Sequence, residues 1–210
     1  MIRMVTIKEW GKELNDHKWL IFISLIFLVI ALMLNDAAGD YTTRAGKASV
    51  PDIILDYIPS IDLSFIFVWG YVLVIFILLC YPLIYQIKEI HIVISQFSLL
   101  VLMRSFFISL THLALPANAI TPNIPWIYHL LFFHNDLFFS GHTAIPFLGF
   151  LIFRKEKIGI FFLIMTFILG VTVLLMHVHY SIDVFAAFFI TYGCYKIGNW
   201  LFNRINHSSR

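Results

Sequence analysis

Two short histidine motifs supply residue types that could carry out phosphoryl transfer. In the first, Ser140 could cap a helix, Gly141 would let another group approach the backbone, and His142 would lie in the first helical turn. Because the N-terminus of a helix attracts anions, His142 would lie beside any phosphate bound there. Taken alone, this motif fits a capping turn with an interfacial histidine equally well.

The second motif places His179 four residues before Asp183, so the two would share one face of a helix. Asp183 could accept a hydrogen bond from one ring nitrogen of His179. That bond would fix the tautomer and leave the other nitrogen as a nucleophile. For an isolated pair, the default interpretation is a structural hydrogen bond.

Arg104 is a third candidate, because it interrupts a long apolar run. It lies about fourteen residues into that run, roughly 21 Å along a helix at about 1.5 Å per residue. A buried guanidinium needs an anion. The sequence leaves two possibilities open: a structural ion pair with Asp136 or Asp183, or a clamp on phosphate oxygens.

The elements that must position these residues are apolar. The chain has 210 residues, of which 60% are hydrophobic and only 12% charged, a composition typical of a protein in lipid. A formal net charge of +2 gives no reason to expect nucleic acid. Six apolar stretches are long enough to predict spanning helices: residues 19–34, 63–85, 90–116, 138–153, 158–176 and 184–202.

Basic residues predict the orientation of these spans. With the N-terminus inside, eleven Lys and Arg residues fall on the inner side, against Arg44 and Lys47 on the outer side. We therefore predict an all-α integral membrane bundle of six transmembrane helices with both termini cytoplasmic. Its parts would be a cytoplasmic amphipathic segment (1–17), a membrane catalytic domain (18–203) and a cytoplasmic tail (204–210).

This topology brings Arg104, His142, His179 and Asp183 to the outer end of the bundle. An anion clamp, a nucleophile and a proton donor are the set that phosphoryl transfer needs. A zinc site is the competing interpretation, since His134 and His177 are also predicted near this end. We predict no metal, because no Cys or Glu nearby completes a ligand set.

The two motifs together resemble the sphingomyelin synthase family, a branch of the lipid phosphatase/phosphotransferase (type-2 phosphatidic acid phosphatase) superfamily. The resemblance extends from about residue 50 to residue 202. Besides residues 140–143 and 179–183, it rests on Asp136, on Arg104-Ser105 with Thr111 and Leu115-Pro116, and on Val50-Pro51-Asp52. Phe139 replaces the proline that the superfamily's phosphatases carry, and Thr172-Val173 replaces their Ser-Arg pair, which favours the synthase branch.

The resemblance implies six spans, no cofactor, and specific roles for these residues. His179 would be the nucleophile, oriented by Asp183, and His142 would assist the leaving group and then activate the acceptor. Asp136 would be a further active-site carboxylate. The partners would be membrane lipids, since the reaction moves a phosphocholine or phosphoethanolamine headgroup from a phospholipid to a lipid alcohol such as ceramide or diacylglycerol.

Two alternatives remain open from the sequence. The same site could act as a hydrolase, making the protein a lipid phosphate phosphatase or a phospholipase C-like enzyme. The protein could also be a transporter or scramblase, with Arg104 and the outer histidines lining a pathway. The clustering of the polar groups at one end argues against a pathway through the full depth of the membrane.

Overall fold

The chain folds into packed helices, and the computed structural model describes residues 5–45, 48–122 and 137–208. Within these ranges there are seven α-helices and a short π-helical turn, Ile66–Gly70, that leads into the third of them. The helices are α1 (Ile7–Asp16), α2 (Lys18–Arg44), α3 (Tyr71–Tyr85), α4 (Ile90–Leu110), α5 (Gly141–Phe153), α6 (Lys157–Leu175) and α7 (Ser181–Ser208).

Four helical segments are long and apolar enough to cross a membrane: Lys18–Thr42, Ile66–Tyr85, Ile87–Leu110 and Lys157–Leu175. The helix Gly141–Phe153 is apolar but shorter. These segments fit the predicted all-α integral membrane protein. The predicted number of six spans and the cytoplasmic position of both termini stay predictions.

The first long helix, α2, continues ten residues beyond its predicted end at residue 34. Its polar C-terminal part stays helical because side chains there pack inside the protein: Asn35 is fully buried and Thr42 nearly so. The hydroxyl of Ser105 on α4 donates a hydrogen bond to Oδ1 of Asn35 over 3.4 Å. Helices α2 and α4 therefore pack along much of their length.

By contrast, α4 ends at Leu110, six residues before the predicted end. Thr111 is extended, and its hydroxyl donates to the carbonyl of Phe107, which competes with continuation of the helix. The amide of Ala114 then donates to the carbonyl of Ala48 over 3.0 Å. The chain after α4 thus joins the loop that follows α2.

Close contacts at glycines join α5 to α6 and α7 to α4. A Cβ atom added at Gly149 would lie 2.5 Å from the ring of Phe162, so α5 and α6 can approach this closely only without a side chain there. Gly198 of α7 lies against Gln96 of α4, whose amide nitrogen Nε2 also donates to Oδ1 of Asn199 over 2.9 Å. The core is formed by the inward faces of α3 to α7.

The predicted amphipathic segment at the N-terminus is a helix, α1. Thr6 and Glu9 form a reciprocal capping box at its start. The indole nitrogen of Trp10 donates to the carbonyl of Leu83 over 2.8 Å, and Lys88 lies 3.4 Å from the carboxylate of Glu13. This helix is therefore attached to the α3–α4 corner, and its position on a membrane surface stays a prediction.

Candidate active site

His179 and Asp183 are in contact, as their spacing predicted. Nδ1 of His179 lies 3.3 Å from Oδ2 of Asp183, and both residues are buried. Because an ionised carboxylate can only accept, Nδ1 carries the proton in this hydrogen bond. The other ring nitrogen, Nε2, then has a free lone pair in the neutral imidazole.

The local reason for this contact differs from the one expected. We expected both residues on one helical face, but α7 begins at Ser181, so His179 precedes it. Asp183 lies in the first turn of α7, and its Oδ2 accepts the amide hydrogen of Tyr180 over 2.9 Å. The carboxylate thus caps the start of the helix and holds the His179 ring with the same oxygen.

Ser140 joins the two motifs through the backbone. Its amide donates to the main-chain carbonyl of Asp183 over 3.1 Å, which fixes the start of α5 against the start of α7. Ser140 occupies the N-cap position of α5, as predicted, but its side chain makes no capping hydrogen bond. Instead, its hydroxyl accepts a hydrogen bond from the hydroxyl of Thr143 over 3.4 Å.

Arg104 reaches the N-terminus of α5 from α4. Its Nε donates to the carbonyl of Phe139 over 3.0 Å, and the residue is only 6% exposed. Its guanidinium lies against Gly141: a Cβ atom there would be 2.7 Å from one terminal nitrogen of Arg104 and 3.4 Å from the hydroxyl of Tyr71. The glycine of the motif is therefore required for the close approach of the arginine to the backbone.

His142 is held by two aromatic rings of the segment that leads into and begins α3. Its ring stacks on Phe67 at a centroid distance of 3.9 Å and on Tyr71 at 4.1 Å. The same ring interacts electrostatically with His179 and with Arg104. Four residues predicted from the sequence, on three helices and one turn, thus converge at one end of the bundle. No sequence signal predicted the two aromatic contacts.

The structure does not place two of the residues predicted from the sequence, Asp136 and His134, because they lie outside the described residues. Nδ1 of His177 lies 3.1 Å from the carbonyl of Ala117. Among the described residues, no group of three or more His, Cys, Asp or Glu side chains is arranged to hold a metal ion.

Asp52 supports the same helix start, and sequence reasoning did not assign it this role. Its Oδ2 accepts the amide hydrogen of Ser181 over 2.6 Å, and its Oδ1 accepts those of Ile54 and Leu55. Burial alone would raise the pKa of Asp52, but these hydrogen bonds, first that of Ser181, outweigh it and lower the pKa. The only sequence signal was the Val-Pro-Asp segment noted in the resemblance.

Tyr180 adds a second link, between the turn and the loops that follow α2 and α4. Its hydroxyl donates to the carbonyl of Ala114 over 2.9 Å and accepts the amide hydrogen of Val50 over 3.2 Å. The ring is only 1% exposed. The turn that carries His179 is therefore fixed on both sides, by Asp183 from α7 and by the loops that contact Tyr180 and Ser181.

This arrangement has the parts for chemistry on a phosphoryl group. A guanidinium and the start of α5 offer positive charge and hydrogen-bond donors to phosphate oxygens. An oriented imidazole, His179, offers a lone pair, and His142 offers a second imidazole that can carry a proton. Arg104, His142, His179 and Asp183 are all buried, which would strengthen their electrostatic interactions.

Comparison with known proteins agrees with this chemistry. Residues 135–200, about a third of the chain, match the sequence model of a family described as PAP2 superfamily C-terminal. No curated protein sequence matches the chain. The matched range contains both histidine motifs, and it supports an enzyme of the lipid phosphatase/phosphotransferase superfamily.

Proposed function

We propose that this protein is a lipid headgroup phosphotransferase that works through a covalent intermediate on His179. One observation carries the proposal: the buried His179–Asp183 hydrogen bond lies beside His142 and the Arg104–Gly141 contact. The superfamily match supports phosphoryl chemistry on a lipid in general. Transfer of a headgroup, rather than its hydrolysis, is the finer part of the proposal.

In the first half-reaction, Nε2 of His179 attacks the phosphorus of a phospholipid. A P–N bond forms as the bond from phosphorus to the glyceride oxygen breaks, and diacylglycerol leaves. Asp183 keeps Nδ1 protonated and stabilises the positive charge that develops on the ring. His142, in its protonated form, donates a proton to the departing oxygen.

Arg104 and the start of α5 bind the non-bridging phosphate oxygens in this scheme. The guanidinium lies at the N-terminus of α5 because Gly141 leaves it room. Charge on the phosphate oxygens would then be stabilised by a group that is already positioned before the reaction begins. Asp136, which lies outside the described residues, is proposed as a further carboxylate of this site.

In the second half-reaction, a lipid alcohol takes the place of diacylglycerol. The now neutral His142 removes the hydroxyl proton, the alcohol oxygen attacks phosphorus, and the P–N bond to His179 breaks. The acceptor receives the headgroup, and both histidines return to their starting states. Burial of His142, His179 and Asp183 favours a lipid acceptor over water, because water must reach the phosphorus for hydrolysis.

We further propose that the site faces the outer side of the membrane. The excess of basic residues in the predicted inner segments supports this orientation. Donor and acceptor would then enter from the lipid of the outer leaflet. Labelling of the exposed outer acid Asp56 after its replacement by cysteine, in sealed cells, would test this orientation independently of activity.

The function is tested with the full chain in lipid nanodiscs. Phospholipids labelled in the headgroup are supplied with and without ceramide or diacylglycerol, and the lipid and water phases are then separated. We expect label in a new lipid only when an acceptor is present, and none with His179→Ala or His142→Ala. Free phosphocholine, phosphoethanolamine or inorganic phosphate as the only product would instead identify a hydrolase.

A matched control separates loss of chemistry from loss of folding. His112 lies in the extended segment after α4, away from the described contacts of the site. Its ring packs edge-on against that of Tyr41, with the two ring centroids 5.2 Å apart. His112→Ala should keep most of the activity. If His179→Ala keeps its activity, the covalent mechanism is ruled out. If the unaltered protein is inactive toward every phospholipid and lipid phosphate supplied, both the phosphotransferase and the hydrolase are ruled out.

A further inference from the structure

A cavity of about 570 Å³ lies next to the turn that carries His179. Its walls come from residues 49–60, from the turn at residues 116–118, and from His177 and Tyr180. None of His142, Arg104 and Asp183 lines it. The cavity is therefore distinct from the convergence of the predicted catalytic groups.

His177 lines this cavity and carries a buried hydrogen-bond acceptor. Its Nδ1 lies 3.1 Å from the carbonyl of Ala117, and because a carbonyl can only accept, Nδ1 carries the proton. In the neutral ring, Nε2 then has a lone pair. This nitrogen is buried, in a residue only 4% exposed, and has no hydrogen-bond partner among the residues that the structure describes. A buried acceptor of this kind calls for a donor.

The charged side chains that line the cavity within the described residues are acidic. Asp52 and Asp56 both line it, and no Lys or Arg is among its lining residues within the described chain. Asp52 is ionised at neutral pH, since hydrogen bonds from Ser181 and neighbouring amides hold its pKa low. Asp56 is exposed. An anion is thus excluded by repulsion, and the carboxylates favour a cation.

We propose that this cavity binds a primary ammonium group, which donates one hydrogen bond to Nε2 of His177 and is attracted by Asp52 and Asp56. A primary ammonium combines the positive charge and the donor that the cavity requires. A quaternary ammonium has the charge without a donor, and a neutral alcohol has the donor without the charge. This inference concerns binding alone and goes beyond the proposed transfer reaction.

Ring-nitrogen NMR of the full chain in detergent provides the test. His177 is assigned by its loss in His177→Asn, a replacement that tolerates the positive φ of 54° at this position. Ethanolamine is titrated against choline and glycerol at constant ionic strength, because none of the three can react. We expect ethanolamine to shift the His177 resonance and to bind about tenfold more tightly than choline, as expected for one charge-assisted hydrogen bond.

Asp56→Asn tests the charge without threatening the fold, because the side chain is exposed. Its matched control is Asp40→Asn, an exposed acid on α2 that does not line the cavity. We expect ethanolamine binding to weaken about threefold to tenfold in Asp56→Asn and to stay unchanged in Asp40→Asn. Equal weakening in both variants, or in neither, would overturn the proposal, as would equal binding of ethanolamine and choline.

A last pair of samples separates the two sources of the ammonium. The same resonance is measured in nanodiscs of phosphatidylethanolamine and of phosphatidylcholine. A shift with phosphatidylethanolamine identifies a lipid headgroup as the occupant, and a shift with free ethanolamine alone identifies a soluble amine; both outcomes support the site. No shift with either refutes it, and that result would leave the transferase assay unaffected, since that assay reads headgroup transfer.

Discussion

The amide of Ser140 donates a hydrogen bond to the main-chain carbonyl of Asp183 over 3.1 Å. This bond ties the start of α5 directly to the start of α7. Asp183 is also the residue whose side chain orients His179, so one residue links the two histidine motifs through its backbone and its carboxylate. The relative position of His142 and His179 is therefore fixed by short connections at the helix starts.

Asp183→Asn tests whether orientation of the ring matters. The change keeps the size of the side chain but removes the charge that stabilises protonated His179, and its amide can present the wrong hydrogen-bonding group to Nδ1. We expect the transfer rate to fall by about 10²–10⁴-fold, with the chain still folded by circular dichroism. Asp62→Asn, at an exposed acid outside the site, is the control. A rate within about threefold of the unaltered protein would refute the positioning role.

Gly141→Ala tests the contact between Arg104 and the start of α5. The added methyl group would lie 2.7 Å from a terminal nitrogen of Arg104, so the flexible end of the arginine has to move. We expect the fold to survive, because only a side-chain end is displaced, and kcat/KM for phospholipid to fall about tenfold to a hundredfold. Stopped assays over a range of lipid concentration measure the change.

Gly193→Ala is the matched control for this substitution. A Cβ atom at Gly193 of α7 meets no other atom within 4 Å, so the change adds a methyl group in open space. It should leave activity unchanged and, as glycine replaced by alanine within a helix, should not lower the melting temperature. Equal activity of the two variants would show that the Arg104 contact does not contribute to the reaction.

Much of the framework could be predicted from local sequence signals. Apolar runs locate the long helices, and the spacing of His179 and Asp183 predicted their contact even though the helix begins later than expected. Helix ends were less predictable. The continuation of α2 to Arg44 depends on burial of Asn35 against Ser105 of α4, a contact between residues 70 positions apart.

The residues that support the site could not be predicted either, because they too come from distant parts of the sequence. The ring contacts of His142 come from Phe67 and Tyr71, and the bond to the amide of Ser181 comes from Asp52, more than a hundred residues away. Phenylalanine and tyrosine in an apolar run normally indicate lipid-facing or core positions. Only the packing of α3 and the turn before it against α5 shows which of these aromatic residues contact a histidine.

Phe67→Leu tests the stacking contact with His142. Leucine keeps an apolar side chain but removes the ring that lies 3.9 Å from the imidazole. Stacking of this kind is worth about 0.5–1.5 kcal/mol, so we expect kcat to fall about twofold to tenfold with little change in KM. Phe65→Leu is the control, because that ring is 76% exposed. An unchanged kcat in Phe67→Leu, or an equal loss in Phe65→Leu, would contradict a positioning role for this ring.

Asp52→Asn tests the support of the α7 start, and its effect should depend on pH. Hydrogen bonds lower the pKa of Asp52 in the folded chain below its ordinary value of 3.8. The ionised carboxylate therefore stabilises the fold above that value, and this contribution is lost as the pH falls through the lower folded-state pKa. At pH 7 we expect Asp52→Asn to melt at a lower temperature, by an amount corresponding to about 1 kcal/mol. The difference from the unaltered protein should persist to about pH 5 and shrink below about pH 4.

Thermal melts of the detergent-solubilised chain at pH 7, 5 and about 3.5 measure this difference, with Asp40→Asn as the control. A difference that grows as the pH falls would show that Asp52 does not stabilise the start of α7 through its ionised form.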